Sequence, residues 1–342
     1  MSEDTQSRAS MLKVAERADV AISSVSRVLS GHPDVSDRMR KRVMAAVAEL
    51  EYEPDFLAQS LRRGLTLSVG FVVADISNPL LADIVLGAET ELRGSGYSLL
   101  LMNSENKPEL DARSIRFFQT RRVDGMLLSL ASETDPALNA ALNQVKVPIV
   151  LVDREIPGSI DASSVHNDHA KGMTDAVRHL LDLGHKRLAL IGASRDTLPS
   201  RAREEGLRLA VAERSDAIDV TILEGPLSRE HGADVTATLL DGDEPPTAIV
   251  CGSNQLLVGC LQVFNERGVR VGRDVSLVTC DDVPASLVYQ PPIAPISRDT
   301  VGLGRAAAEL LLRRLRDDAE AETVALPTVF TPRASCAPPP SH

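Results

Sequence analysis

Residues 11–50 carry helical patterns only, whereas residues 67–290 alternate short apolar runs with amphipathic stretches of helix length. The runs of strand length are Leu67–Ala74, Ser98–Met102, Gly125–Leu130, Pro148–Val152, Arg187–Ile191, Val220–Leu223, Ala248–Cys251 and Val275–Thr279. Between them lie helical patterns such as Leu80–Leu92, Gly172–Leu183 and Leu256–Arg267. Near-continuous apolar strands separated by helices predict parallel sheets covered on both faces. Sheets of about four to six strands are ordinary, so eight units imply two α/β halves, with a break near Pro157-Gly158. The predicted fold class is α/β: a small all-α headpiece followed by a two-subdomain core of doubly wound parallel sheets.

Charge divides along the same boundary. The formal net charge is -11, which as a whole-chain average argues against a nucleic-acid partner. The first 63 residues, however, balance ten basic against ten acidic side chains, so the acidic excess belongs entirely to the rest. The stretch Met1 to Ser10 is polar, and no run approaches the ~20 apolar residues of a membrane span. Cys251, Cys260, Cys280 and Cys336 form no Cys-x-x-Cys pair and read as buried reduced thiols rather than as a zinc site. A cytoplasmic location, no metal and no cofactor are expected.

In open α/β sheets a ligand sits beyond the carboxyl ends of the strands, where the winding reverses. Polar residues follow four of the runs: Asp75 and Ser77, Asp153 and Arg154, Ser253 and Asn254, Asp281 and Asp282. Each alone reads as a turn or cap residue. Four strand ends decorated together favour a cleft.

In the N-terminal segment, Leu12, Ala15 and Ala18 mark a first helical stripe, and Asp19-Val20-Ala21 breaks it. A second helix runs over Ile22–Leu29, with Val25, Val28 and Leu29 on one face and Ser23, Ser24, Ser26 and Arg27 on the other. Gly31-His32-Pro33 ends it, and Ser36 caps a third helix with the stripe Met39, Val43, Val47 and Leu50. Two short helices joined by three residues and braced by a third describe a helix-turn-helix, or else a plain helical bundle. Small hydroxyl residues and an arginine on the second helix suit base edges and phosphates in a major groove.

Val14-Ala15-Glu16-Arg17-Ala18, Val25-Ser26-Arg27-Val28-Leu29 and Tyr52-Glu53-Pro54-Asp55-Phe56-Leu57-Ala58-Gln59-Ser60-Leu61 together resemble the headpiece of the LacI/GalR family of bacterial regulators. The resemblance continues, in order, through Val73-Ala74-Asp75-Ile76-Ser77-Asn78-Pro79, Arg121-Arg122-Val123-Asp124-Gly125, Leu183-Gly184-His185-Lys186-Arg187 and Cys280-Asp281-Asp282. It implies a headpiece at 10–53, a hinge helix and linker at 54–64, and a core at 65–335 similar to periplasmic sugar-binding proteins. Within the core it implies an N-subdomain of about 65–160 plus 293–320 and a C-subdomain of about 161–290 plus 321–335.

The resemblance also assigns roles. Ile22, Ser23, Ser24, Ser26 and Arg27 would face DNA, with Arg27 the candidate for guanine or phosphate. The family's turn glycine is Asp19 here, and Ala21 stands where Ser or Thr is usual. The run Arg38, Arg40, Lys41 and Arg42 is read as partly phosphate-gripping and partly solvated. Asp55, Leu57, Ala58, Leu61 and Arg62 match the hinge, with Leu61 as a wedge that kinks minor-groove DNA. Asp75, Leu80, Leu81, Asp153, Arg154, Arg203, Leu227, Ser253, Asn254 and Asp281 fall at effector-binding positions. Relatives often carry rings where this chain has Leu80, Leu81, Leu227 and Thr300. An ordinary pyranose or purine therefore loses its stacking platform, and Arg154, His166 and Arg203 could meet an acidic effector.

The implied function is a transcriptional repressor, binding a palindromic operator as a homodimer or tetramer under control of a sugar or sugar derivative, acidic ones included. The alternative is a solute-binding protein of a transport system, which the headpiece disfavours. An enzyme is not expected: no Gly-rich nucleotide loop follows the first run, and the seven histidines suggest no catalytic order.

Overall fold

The computed structural model describes residues 10–29, 32, 34–52, 64–155, 160–317 and 319–340. The hinge residues Asp55, Leu57, Ala58, Leu61 and Arg62 lie outside the described residues. The chain divides into two compact units, Met1–Thr66 and Leu67–His342.

In the first unit, α1 (Met11–Ala18), α2 (Ile22–Leu29) and α3 (Asp37–Glu49) enclose a small core of Val14, Ala15, Ala18, Val25, Val28, Val43 and Ala46. Ser10 and Ser36 cap the first and third helices by accepting the Lys13 and Met39 amides. The turn at Asp19 is left-handed, with φ 49°. Glycine is the default residue in that conformation, and Asp is among the few others that enter it.

The second unit contains two six-stranded sheets. The first comprises β1 (Ser68–Val73), β2 (Ser98–Asn103), β3 (Gly125–Leu128), β4 (Ile149–Val152), β5 (Ala162–Asn167) and β11 (Thr323–Leu326), in the order β11-β5-β4-β3-β1-β2, all parallel. The second comprises β6 (Arg187–Gly192), β7 (Asp219–Glu224), β8 (Ala248–Cys251), β9 (Ser276–Cys280), β10 (Ala294–Arg298) and β12 (Thr328–Phe330), in the order β12-β10-β9-β8-β6-β7. Its β12 runs antiparallel to β10 and the other neighbours are parallel.

Helices cover both faces of each sheet. On the first, Phe71, Ile84, Leu92, Leu303 and Leu311 fill one side, and Ile115, Phe118, Met126, Leu128 and Leu138 the other. On the second, Met173, Val177, Leu180 and Leu207 oppose Ile249, Leu256, Phe264 and Leu277. Close helix pairing fixes the helices that reach the cleft. A Cβ on Gly206 would stand 2.3 Å from the Ala170 carbonyl oxygen, so α8 (Leu198–Ala212) can lie against α7 (His169–Asp182) only with glycine there. Gly304 of α12 (Thr300–Asp317) meets α4 (Pro79–Gly94) with the same constraint, 1.9 Å from the Ile84 carbonyl oxygen.

The chain passes between the sheets three times: after Asn167, after Arg298 and after Leu326. These passages differ from the sequence expectation of exchange near 160, 293 and 321. The strand Ala162–Asn167 belongs to the first sheet because it pairs with β4 and β11. The strand Ala294–Arg298 belongs to the second because it pairs with β9. Strand pairing, not the local apolar pattern, sets the boundary.

Candidate functional site

The headpiece presents the face expected for DNA. On α2, Val25 and Val28 are buried, whereas Ser23 and Arg27 are exposed and Ile22 is 43% exposed. Ser24 and Ser26 are half-buried between these faces. The 3.6-residue period puts Ile22, Ser23 and Ser26 with Arg27 on the side turned from the core. Arg42 differs from its neighbours in the basic run. Its guanidinium donates to the Ala18 and Asp19 carbonyl oxygens, the latter at 2.7 Å, and pairs with the Asp19 carboxylate at 3.2 Å. It ties the left-handed turn to α3, so this arginine is structural, and Asp19 is partly neutralised.

In the core, the carboxyl ends of the strands open onto one cleft enclosing about 710 Å³, partly open to solvent. All ten residues expected there line it. Asp75, Leu80 and Leu81 follow β1. Asp153 and Arg154 follow β4. Arg203 stands on α8 and Leu227 follows β7. Ser253 and Asn254 follow β8, and Asp281 follows β9. His166 is not brought with them: it lies on β5 beside Ala325. Three helix N-termini also reach the cleft: those of α4 (Asn78–Leu81), α8 (Thr197–Ser200) and α10 (Asn254–Arg267).

The floor of the cleft is a charge network centred on a residue the sequence reading did not single out. Arg298, at the end of β10, pairs with Asp153 through one terminal nitrogen and with Asp281 through Nε at 2.6 Å. Both carboxylates are 4% exposed. The second oxygen of Asp153 accepts the Asn167 amide at 3.0 Å and lies 3.0 Å from His169 Nε2. Burial alone would raise the Asp153 carboxyl. His169, Arg298 and the Asn167 amide outweigh it and hold the group well below the usual carboxylate range. Burial likewise opposes the Arg298 charge, yet Asp281 and Asp153 raise it. His169 goes the other way: burial outweighs the attraction of Asp153 and lowers the imidazole below its ordinary value.

Other polar groups are similarly engaged. Arg154 donates to the Leu130 carbonyl oxygen and, at 2.7 Å, to that of Asp153. Burial lowers its affinity for the proton, against the pull of Asp153 and Glu133. Asp75 accepts the Ser77 amide at 2.9 Å and hydroxyl at 2.6 Å, and the Gln255 side-chain amide at 2.9 Å. Burial opposes its ionisation, but these donors hold the carboxyl below its ordinary value.

Besides the Arg298–Asp153 pair on the floor, two sets of contacts cross the cleft at its rims. On one rim Asn254 Nδ2 donates to Asn78 Oδ1 at 3.1 Å beside the Gln255–Asp75 bond, and Leu80 packs into the apolar cluster of the second subdomain. On the other rim Glu133, 1% exposed, receives Arg201 at 2.6 Å and the Leu198 amide at 2.8 Å. It also accepts the Glu155 amide at 3.1 Å. Thr197 makes no cap for α8 with its own side chain. A carboxylate from the opposite subdomain supplies the negative charge that a helix N-terminus favours.

Sequence reasoning missed Arg298, Gln255, Asn78 and Glu133. Gln255 and Asn78 adjoin residues it did select and follow the same strand ends. Arg298 and Glu133 carried no local signal, since their partners are remote in sequence. Among the described residues no cluster of His, Cys, Asp or Glu is arranged to hold a metal, and no helix is long and apolar enough to cross a membrane.

A helix-turn-helix unit joined to a two-subdomain cleft defines a ligand-responsive DNA-binding regulator. Comparison with known proteins gives the family. Residues 10–55 match the model of bacterial regulatory proteins of the lacI family, and residues 177–336 a periplasmic binding protein-like domain. The HTH-type transcriptional repressor PurR of Haemophilus influenzae (strain PittEE) is 31% identical over 309 residues, covering 90% of this chain and 91% of the relative. PurR of Pasteurella multocida (strain Pm70) is 30% identical, over 92% and 95%. The crystal structure of the Lac repressor dimer bound to operator and the anti-inducer ONPF superposes with a TM-score of 0.85 at 27% identity, covering 96% of this chain and 99% of that one. The CelR–cellobiose complex gives 0.72 at 28% identity, over 96% and 100%. The chain belongs to the LacI family: it is a transcriptional repressor with an effector-binding core, and not an enzyme.

Proposed function

We propose that this repressor binds a palindromic operator as a homodimer and that a sugar or sugar derivative in the core cleft controls its affinity for DNA. The observation that carries the reading is the convergence on one cavity of polar and apolar residues from the ends of five strands and from helix α8. The exposed α2 face supports DNA reading by Ile22, Ser23, Ser24, Ser26 and Arg27. A base edge offers acceptors for Arg27, and the apolar Ile22 suits a thymine methyl. The hinge residues Asp55, Leu57, Ala58, Leu61 and Arg62 would add minor-groove contacts, with Leu61 as the wedge. Two copies reading inverted half-sites follow from two-fold symmetry, and the core leaves Leu86 and Val288 exposed, 55% and 76%, for contact with a second copy.

The crossing contacts suggest how the effector acts. A ligand that favours one separation of the rims shifts the subdomains, because it binds the two arrangements unequally. Selection of bound DNA from a random pool, repeated with candidate sugars and sugar derivatives, tests the reading. An inverted repeat is expected, with recovery that changes when an effector is added. Single half-sites would remove the dimer, and recovery indifferent to every small molecule would remove the effector.

A further inference from the structure

We infer that Cys251 and Cys260 are a redox pair, which hydrogen peroxide closes to a disulfide, and that the disulfide changes the affinity of the repressor for its operator through the α10 rim of the cleft. The effect on operator affinity rests on the reading of the cleft as the effector site, whereas the chemistry of the pair stands apart from it.

Cys251 ends β8 and Cys260 lies on α10. Their sulfurs stand 3.2 Å apart, both side chains are fully buried and both thiols are free. A disulfide bond is about 2.05 Å long, so the sulfurs need approach by only about 1 Å. The backbone beneath Cys260 is held close. Helix α9 (Arg229–Asp241) lies against α10 with no room for a methyl group between them. A Cβ on Gly259 would stand 2.1 Å from the Arg229 carbonyl oxygen, and one on Gly232 2.5 Å from that of Leu256. Cys336 turns its sulfur instead to the Leu277 carbonyl oxygen, and the Cys280 thiol lies beside Arg203.

The two thiols are not equivalent. The Cys260 sulfur accepts from the Cys251 thiol and, at 2.9 Å, from the Thr236 hydroxyl. These donors outweigh burial and hold the Cys260 thiol below its ordinary value, while giving its proton to that bond and burial raise Cys251. Cys260 is therefore the nucleophile and Cys251 the resolving thiol. The Cys260 thiolate attacks one peroxide oxygen: an S–O bond forms, the O–O bond breaks, and the departing hydroxide takes a proton to become water. Cys260 is then a sulfenic acid. The Cys251 sulfur attacks it, the S–S bond forms, the S–O bond breaks, and hydroxide leaves with the Cys251 proton as a second water. Two thiols lose two electrons and two protons, and peroxide is reduced to two waters. A partly open pocket of about 310 Å³, which shares Ser200 and Arg203 with the cleft, reaches Gly252, next to Cys251. Peroxide is little larger than water and fits such a space.

The first turn of α10 makes the contacts of one rim, Asn254 to Asn78 and Gln255 to Asp75. A covalent tie between the end of β8 and α10 restricts the positions open to that turn. It therefore weights the arrangements of the two subdomains unequally, as a bound ligand does.

The test starts from the reduced full chain, treats it with hydrogen peroxide, then unfolds, alkylates and maps it by mass spectrometry. Peptides carrying Cys251 and Cys260 are expected joined and lighter by two hydrogens, with Cys280 and Cys336 alkylated and the link reversed by dithiothreitol. Cys251 and Cys260 still alkylated, or a link that involves Cys280 or Cys336, overturns the inference. The affinity of the oxidised chain for the selected operator should differ by about five-fold or more from that of the reduced chain, and dithiothreitol should restore it. Wild type is compared with itself here, so the outcome does not depend on a variant folding. Cys251→Ser should show one affinity before and after peroxide, and a change equal to that of wild type would place the oxidation elsewhere and overturn the inference. Operator affinity indifferent to the disulfide also overturns it. In that case a sugar that still shifts operator affinity leaves the cleft reading standing, and indifference to every sugar as well makes the cleft reading fail.

Discussion

The headpiece and the cleft use arginine in opposite ways. On α2 the side chain of Arg27 is exposed, on a helix whose stability rests on Val25 and Val28 beneath it. In the cleft Arg298 is enclosed, and two carboxylates from different subdomains depend on it. The first arrangement turns the guanidinium to the surface, within reach of a partner that brings negative charge. The second compensates buried charge within the protein, so that only a few groups remain for a ligand. The regulator therefore carries one site whose residues can be changed at little cost to the fold and one whose residues cannot.

That contrast can be broken most forcefully at Arg298. Arg298→Ala leaves Asp153 and Asp281 buried without their counter-charge, and loss of one partner of a buried pair costs about 3–5 kcal/mol. Urea unfolding of the core should show it, and a loss under about 1 kcal/mol would mean that water already screens the network. Asp111 offers the next largest effect, with the opposite sign. Burial pushes its carboxyl up to about 6, against the Ala131 amide and Ser104. Because the folded value exceeds the ordinary 3.8, the native state holds the extra proton between those values. Stability is then highest below about 4, falls as pH rises through about 6, and is level beyond it. Asp111→Asn should remove that slope and stabilise the core at pH 7.5 by about 3 kcal/mol. Equal pH profiles for both proteins would refute the buried acid.

Glu133→Ala removes the acceptor of the Leu198 amide and of Arg201, hydrogen bonds to a charged group that are worth about 1.5–3 kcal/mol each. Exposure of the freed amide to water offsets part of this, so a net loss of about 2 kcal/mol is expected from urea titration. On the headpiece, Arg27→Ala should weaken specific operator binding by about 1–3 kcal/mol. Its unfolding midpoint should move by no more than about 0.5 kcal/mol, as for a surface change. An unchanged footprint would take Arg27 out of base reading.

How much of this was legible in the sequence follows from how each feature is encoded. The eight apolar runs all became strands: the inner ones are apolar throughout because they are buried on both faces, whereas β2 and β7, at the sheet edges, half-bury only alternate residues. The four strands not foreseen, β5, β10, β11 and β12, adjoin the passages between subdomains. Ala162–Asn167 reads Ser, Ser, His and Asn among its residues, and its place comes from pairing with β4 and β11 rather than from its own pattern. The cleft residues were legible where they follow a strand end. Arg298 was not, because it ends a strand that itself went unrecognised. Glu133 was not, because a loop carboxylate capping a helix 65 residues away leaves no periodicity. Arg42 was half-read: its place in a basic run suggested phosphate, while its bonds to Ala18 and Asp19 arise only when α1 and α3 pack.

The central claim is that a small molecule in the cleft and an operator on the headpiece are linked through one chain. It is tested most directly by the affinity of the full chain for its selected operator, titrated with a sugar or sugar derivative that binds it, together with the affinity for that ligand with and without operator. Linkage requires the two ratios to be equal. The account predicts a change of about five-fold or more in operator affinity, and the same factor in the reverse titration. Operator affinity that stays constant while the cleft fills would contradict it.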